Sequence, residues 1–420
     1  MRIIADLHIH SKYSRATSKD MNLDLLALWA KVKGIDLLGT GDFTHPAHFA
    51  SIEEKLEPAG NGLYALKEQS QKNNPTRFML TAEVSNIYTC NGKTRKIHSL
   101  IFAPSLASVR KMNSAFMRLG NIRSDGRPIF GFSAQDLLKI VLDASPDAML
   151  VPAHAWTPWF SIFGSKSGFD SIEECFGDLS GHIHAIETGL SSDPRMNWRL
   201  SSLDRITLIS NSDAHSPSKL GREANVFECA LDYHEITGVI KSKDRSRFLY
   251  TVEFYPEEGK YHYDGHRGCG IVFSPQETLK AGRKCPVCLK EVTVGVMSRV
   301  EELADRPEGF APADAIPARH LVPLEEILAE VLGTGVNSVK VQREYKRLTS
   351  VARSEFRILL DMAEDDLTGL AGATTAGAIM KVRSGDITVK PGFDGEFGKI
   401  KVFGGVEETV PTGPVQIGLF

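Results

Sequence analysis

The chain has 420 residues, a formal net charge of −3, 42% hydrophobic residues and 24% charged ones. That length calls for two or three domains, and that composition excludes a disordered, collagen-like or disulfide-framed chain. No run of about 18 apolar residues occurs, and MRIIADLHIHS lacks the basic-then-apolar order of a secretory signal, so the expected location is the cytoplasm, away from membranes.

In chain order, short apolar runs alternate with helix-like segments as far as residue 215, the pattern of βα units in an α/β fold around a mainly parallel sheet. The expected strands are Ile3 to Leu7, Ile35 to Thr40, Phe78 to Val84, Ile97 to Phe102, Ala148 to Ala153, Ile183 to Glu187 and Ile206 to Ser210. Between the first two, Leu25, Leu26, Leu28, Trp29 and Val32 recur on a helical period, with Asn22 as N-cap and Gly34 as the stop. The alternation ends near residue 235. A turn-rich stretch, Tyr255 to Val296, carries clustered Cys, and Met297 to about Met380 reads as helical, most strongly over Leu324–Leu332 and Val339–Met362. The expected units are therefore 1–235, 236–296, 297–390 and a Gly-rich tail, 391–420.

Nearly every expected strand ends in a side chain that can bind metal. The first supplies Asp6, His8 and His10, and positions two apart in a strand face the same side. Later strands end in Asp42 with His45 nearby, Glu83, His98, His154, Glu187, and the pair Asp213 and His215. Barrel sites gather such residues from the C-terminal ends of strands. Imidazole and carboxylate together suit Zn²⁺, Mn²⁺ or Fe²⁺, and there are too many for one four-coordinate ion, so two or three ions are expected. Any one of these His taken alone is as readily a hydrogen-bonded core or surface residue.

Further along, His266-x-x-Cys269 and Cys285-x-x-Cys288 form two knuckles that fit one tetrahedral structural Zn²⁺, with His262 as an alternative to His266. Lys241 to Arg299 holds eleven Lys or Arg against seven Asp or Glu, either a phosphate-facing surface or a solvated face.

The motifs Asp6-Leu7-His8-Ile9-His10-Ser11, Gly41-Asp42, Glu83, His98, Pro152-Ala153-His154 and Ser212-Asp213-Ala214-His215 resemble those of the polymerase and histidinol phosphatase (PHP) superfamily over about half the chain. The resemblance implies a distorted (β/α)7 TIM-like barrel with a trinuclear site. It implies one ion on His8, His10, Glu83 and Asp213, a second on Glu83, His98 and His154, and a third on His215 with Asp42 or His45. The chain departs from the family pattern at Phe43 and Arg15, where a ligand often stands, which weakens the third position.

The zinc module, the helical region and the segment Thr188-Gly-Leu-Ser-Ser-Asp-Pro-Arg-Met-Asn-Trp198 extend the likeness over nearly the whole chain, which resembles the endonuclease Q family. That implies a DNA repair enzyme dependent on Zn, Mn or Mg ions. It would act on duplex DNA carrying uracil, hypoxanthine, xanthine or an abasic site, cut 5′ to the lesion, and work at the nucleoid. Glu83 then stands beside the attacking water, and Arg15 and Arg195 are candidate cations at the leaving oxygen. Trp156, Trp159, Phe160 and Phe163 form either a loop that stacks on an extruded base or a satellite core. The terminal Gln416, Ile417, Leu419 and Phe420 resemble a sliding-clamp peptide, against a packed edge strand. The rival functions are a small-molecule phosphoesterase of the histidinol phosphatase kind and a non-catalytic binder of damaged DNA.

Overall fold

A computed structural model describes residues 1–67 and 74–404. All seven expected strands form, at Arg2–Asp6, Leu37–Gly39, Arg77–Cys90, Lys93–Ala103, Met149–Pro152, Ala185–Glu187 and Thr207–Ile209. The helix between the first two runs Leu23–Lys33, with the Asn22 side chain accepting from Leu25 N and Gly34 ending it at φ 90°.

The sheet is mixed, where a mainly parallel one was expected. Arg2–Asp6, Leu37–Gly39 and Arg77–Cys90 pair in parallel, but Arg77–Cys90 turns back antiparallel into Lys93–Ala103, which pairs antiparallel with Met149–Pro152. The cause is local: Asn91 and Gly92 take φ of 51° and 74°, the left-handed pair of a tight hairpin turn. Ala185–Glu187 and Thr207–Ile209 form a separate parallel pair. Backbone contacts still continue around the strand ends, through Ala155 N to Glu187 O (2.9 Å) and His10 N to Ala214 O (3.1 Å).

Period-2 alternation decides what lies inside. Ile3, Ala5 and Leu7 pack with Leu37, Met79, Leu100, Phe102, Val151, Ala185, Ile209 and Phe227 in one buried cluster, while Ile4 joins the layer under the helices. Each fully buried Leu, Ile or Phe of this kind contributes on the order of 2 kcal/mol. The strands thus pack around a shared core, with Glu83 and His98 projecting from within the two long antiparallel strands and His8, His10, His154 and Asp213 from the loops that follow theirs.

The sheet also runs past residue 235. Ala224–Glu228 pairs antiparallel with Arg2–Asp6, Phe248–Glu253 pairs with it in turn, and Ala318–His320 adds in parallel to Phe248–Glu253. Residues 264–280 form a small hairpin and the helix Pro275–Lys280. The helical region comprises Val296–Leu303, Leu324–Val331, Val339–Ala352, Glu364–Ala371 and Ala373–Ser384. The segment expected to be continuous over Val339–Met362 breaks at Arg353, whose φ is 76°. Glu355 ties this region to the helix Leu23–Lys33: its carboxylate pairs with Lys33 Nζ at 2.5 Å and accepts from Tyr345 Oη at 2.6 Å and Leu324 N at 3.0 Å. No helix among the described residues is long and apolar enough to cross a membrane. The candidate clamp residues Gln416, Ile417, Leu419 and Phe420 lie outside the described residues.

Candidate metal centre

At one mouth of the sheet, two overlapping groups converge: His8, His10, Glu83 and Asp213, and Glu83, His98 and His154, with the ligand atoms of each group within 4.8 Å of one another. Glu83 belongs to both. His10 Nε2 lies 3.2 Å from Glu83 Oε2 and 3.0 Å from Asp213 Oδ1, and His8 Nε2 lies 3.5 and 3.6 Å from the same atoms. His98 Nδ1 and His154 Nε2 approach Glu83 Oε1 to 2.7 and 3.0 Å.

The fit to metal ions rests on what these atoms do not do. His8 Nε2, His10 Nε2 and Asp213 Oδ1 are buried and make no hydrogen bond among the described residues. Leaving such atoms unsatisfied costs about 1–3 kcal/mol each, a cost that ligation removes. The opposite ring nitrogens are held in place. His8 Nδ1 donates to Glu187 at 3.0 Å, and His10 Nδ1 lies 3.1 Å from Asp42 Oδ1, which leaves both Nε2 lone pairs facing the shared centre.

The carboxylates behind these rings are themselves held. Glu187 accepts from Asn211 Nδ2 (2.9 Å) and His154 N (2.8 Å). Asp42 accepts from Ser11 N (2.6 Å), Ser11 Oγ (2.7 Å) and Ser14 Oγ (2.8 Å). Three site residues, Asp42, His154 and Asp213, occupy the left-handed region at φ 42°, 30° and 46°. Such strain persists only where the surroundings impose it. Gly126 is required here, because a Cβ would sit 2.3 Å from Asp42 Oδ2.

The electrostatics match a cation site. Burial works against ionising Asp213 and Glu83, yet the neighbouring His rings and Arg127 hold both well below the usual carboxylate range. Burial likewise opposes protonation of His8, and Glu187, Glu83 and Asp213 overcome it and push the ring up. His98, by contrast, is carried down to about 4 by burial.

Several expected site residues sit elsewhere. Arg15 is exposed and reaches only Asp125, at 3.7 Å. The guanidinium nearest the centre is that of Arg127, whose Nη1 donates to Glu83 Oε2 at 2.9 Å and which no motif signalled. Arg195 faces a different cavity, with Tyr255, Arg319 and His320. Asp42 orients His10 instead of joining the ligand groups, and His45 turns away to Arg123 O (3.2 Å) against the Tyr13 ring. His215 packs on the His10 ring at 4.5 Å and belongs to neither group. Glu187 closes an expected strand but carries no role legible in sequence.

The aromatic loop divides. Trp156 and Phe163 are buried and packed on one another at 5.0 Å, with Trp156 Nε1 donating to Asn197 Oδ1, so they are core. Trp159 and Phe160 instead line a cavity of about 380 Å³ bordered by His98, His154, Asp213, Tyr261 and His262. The Phe160 ring lies 4.7 Å from His98.

His266, Cys269, Cys285 and Cys288 form a third convergent group, again within 4.8 Å. His262 does not join it; its buried Nδ1 faces the cavity wall without a hydrogen-bond partner among the described residues.

The fold and site define a class: a mixed α/β protein with overlapping His–carboxylate groups that can hold metal at one mouth of the sheet, and a separate Cys₃His group. Residues 323–386 match the MJ0043 C-terminal domain family. The uncharacterized protein YqxK of Bacillus subtilis is 32% identical over 414 residues, 95% of this chain and 99% of that one. MJ0043 of Methanocaldococcus jannaschii is 32% identical over 258 residues, 59% of this chain but 31% of its own length. The crystal structure of the lesion-specific endonuclease PfuEndoQ from Pyrococcus furiosus superposes with a TM-score of 0.85 at 32% identity, covering 99% of this chain and 100% of that one. Endonuclease Q in complex with a 27-mer duplex bearing an abasic lesion gives 0.83 at 32% identity, covering 98% and 100%. The chain belongs to the endonuclease Q family.

Proposed function

We propose that this protein is a metal-dependent DNA repair endonuclease whose wrapped sheet is a PHP-type barrel. It would act on duplex DNA at abasic sites and deaminated bases (uracil, hypoxanthine and xanthine) and cut on the 5′ side. The carrying observation is the pair of ligand groups sharing Glu83, with unsatisfied His8 Nε2, His10 Nε2 and Asp213 Oδ1, opening onto the cavity lined by Trp159 and Phe160. The relatives are described as lesion-specific and as bound to an abasic duplex, which supports the same reading.

His8, His10, Glu83 and Asp213 would hold one divalent ion, and Glu83, His98 and His154 a second. Zn, Mn or Mg suits this donor set. Bound there, the ions would supply charge relief on the phosphate and an activated water. The protein's own part is orientation. Glu187 and Asp42 fix the two ring tautomers, and Arg127 offers a guanidinium at the rim of the centre. Trp159, 43% exposed, and Phe160 present π-faces to an extruded nucleotide, or to the gap that it leaves. The Cys₃His group would hold a structural zinc that braces the hairpin Asp264–His266 and Ile271–Phe273.

The test is incubation with Mg²⁺, Mn²⁺ or Zn²⁺ and end-labelled duplexes carrying one uracil, one abasic site or no lesion. Cleavage at the lesion alone is expected. Hydrolysis of a phosphomonoester only would replace the reading with a small-molecule phosphoesterase, and lesion-dependent retention without cutting would replace it with a binding protein.

A further inference from the structure

A second cavity, also about 380 Å³, opens where the helical region meets the sheet. Its cations come from three separate elements: Arg195 on the short helix Pro194–Asn197, Arg319 on the strand Ala318–His320, and Arg383 on the helix Ala373–Ser384. Tyr255, His320 and Ser384 complete the polar wall, and no Asp or Glu lines it, though Asp193 pairs with His320 from behind at 3.1 Å.

Two of the three guanidiniums are in no ion pair, although the Glu257 carboxylate lies near enough to feel Arg195. Among the described residues Arg195 makes no hydrogen bond or ion pair, and Arg319 only covers the Tyr250 ring, 3.9 Å from its centroid. Arg383 is different: it donates to the carbonyls of Ile358, Leu359 and Met362, which fixes its position from the helical side. Cations gathered in one concavity without an anion repel each other, and a bidentate oxyanion relieves that cost.

The cavity's position points to its ligand. Leu190 and Ser191 line the cavity beside the metal centre and Arg195 lines this one; likewise Pro256 and Gly259 face the first and Tyr255 the second. No residue lines both, but the same two segments, 190–195 and 255–259, border each cavity.

We propose that this arginine pocket is an anion site that holds a backbone phosphate of the same nucleic acid, beyond the nucleotide seated at the metal centre. The inference rests on the nuclease reading above for the source of the phosphate, and on the pocket alone for the anion. Phosphate contacts of this kind set register without reading bases, so the effect is independent of lesion and sequence.

The experiment is fluorescence anisotropy with a labelled undamaged duplex, read as Kd against salt. Arg195→Gln with Arg319→Gln should weaken binding several-fold and flatten the slope of log K against log salt by about 1. Arg195→Lys with Arg319→Lys should restore most of the slope. Should the double variant unfold, Arg195→Gln alone serves, since that exposed side chain holds nothing else in place. Unchanged Kd and slope would overturn the proposal. So would an equal loss on neutralising Arg118 and Lys139, exposed on distant helices, because that marks diffuse attraction. If the wild type binds no duplex even at low salt, the nuclease reading fails instead. Calorimetry with inorganic phosphate then decides the pocket: heat that Arg195→Gln with Arg319→Gln abolishes leaves it as a site for a soluble phosphate, and no heat from the wild type removes it.

Discussion

At the level of single residues, the centre separates ligands from the groups that aim them. His8 and His10 present Nε2 because Glu187 and Asp42 occupy Nδ1. Glu187→Gln should therefore keep the fold but weaken metal affinity by about 10–100-fold, measured by competition with a chromogenic chelator. His8→Ala should abolish cleavage and metal uptake together while lesion-duplex affinity stays within a few-fold, since most DNA contacts are to phosphate outside the centre. Affinity lost in parallel with activity would mean that the ions themselves anchor the DNA. Arg127 is the instructive omission: it lies outside every motif, and only the turn at 123–128 carries it to Glu83. Arg127→Lys keeps the charge but loses the planar fork, so single-turnover cleavage should fall by about tenfold and Arg127→Ala should lower it further.

At the level of elements, two devices can be tested separately from catalysis. The Cys₃His group closes a hairpin too small to bury a core of its own. Cys285→Ser should lower zinc content and melt this module first, seen as early loss of protection for 264–292 in hydrogen exchange. The second device is the end of the strand Phe248–Glu253. Burial pushes the Glu253 carboxyl up to about 8, although Thr188 Oγ1 donates to it at 3.1 Å. A carboxyl with a raised folded pKa favours the folded state below its ordinary pKa and loses that contribution as pH rises towards 8. Glu253→Gln should thus change stability little near about pH 4 and raise it increasingly as pH climbs towards about 8, measured by urea unfolding. Equal effects at both values would show that Glu253 is ionised in the fold.

For the whole molecule, Glu355 couples the helical region to the helix Leu23–Lys33 through Lys33, with Tyr345 and Leu324 holding it on the other side. Breaking a buried pair strands its partner's charge, so Glu355→Ala should cost about 3–5 kcal/mol and loosen the walls of the arginine cavity with it. The strands and the metal-capable side chains that converge were legible because period-2 alternation and ligand chemistry are local properties of sequence, although Glu83 and His98 lie within longer strands than expected rather than at strand ends. The hairpin turn at Asn91–Gly92 was equally local, but the long strands on either side hid it among expected parallel crossovers. The extension of the sheet to Phe248–Glu253 and Ala318–His320 was not legible, since it depends on pairing between segments far apart along the chain. Composition alone also could not divide the aromatic loop into core, with Trp156 and Phe163, and cavity wall, with Trp159 and Phe160. The sequence by itself determined which residue types could meet a metal ion and in which order they occur. Only the tertiary structure decided that Glu83 is shared, that Asp42 and Glu187 stand behind the rings, and that Arg127 rather than Arg15 stands at the rim, because each depends on direction and distance between segments that are far apart along the chain.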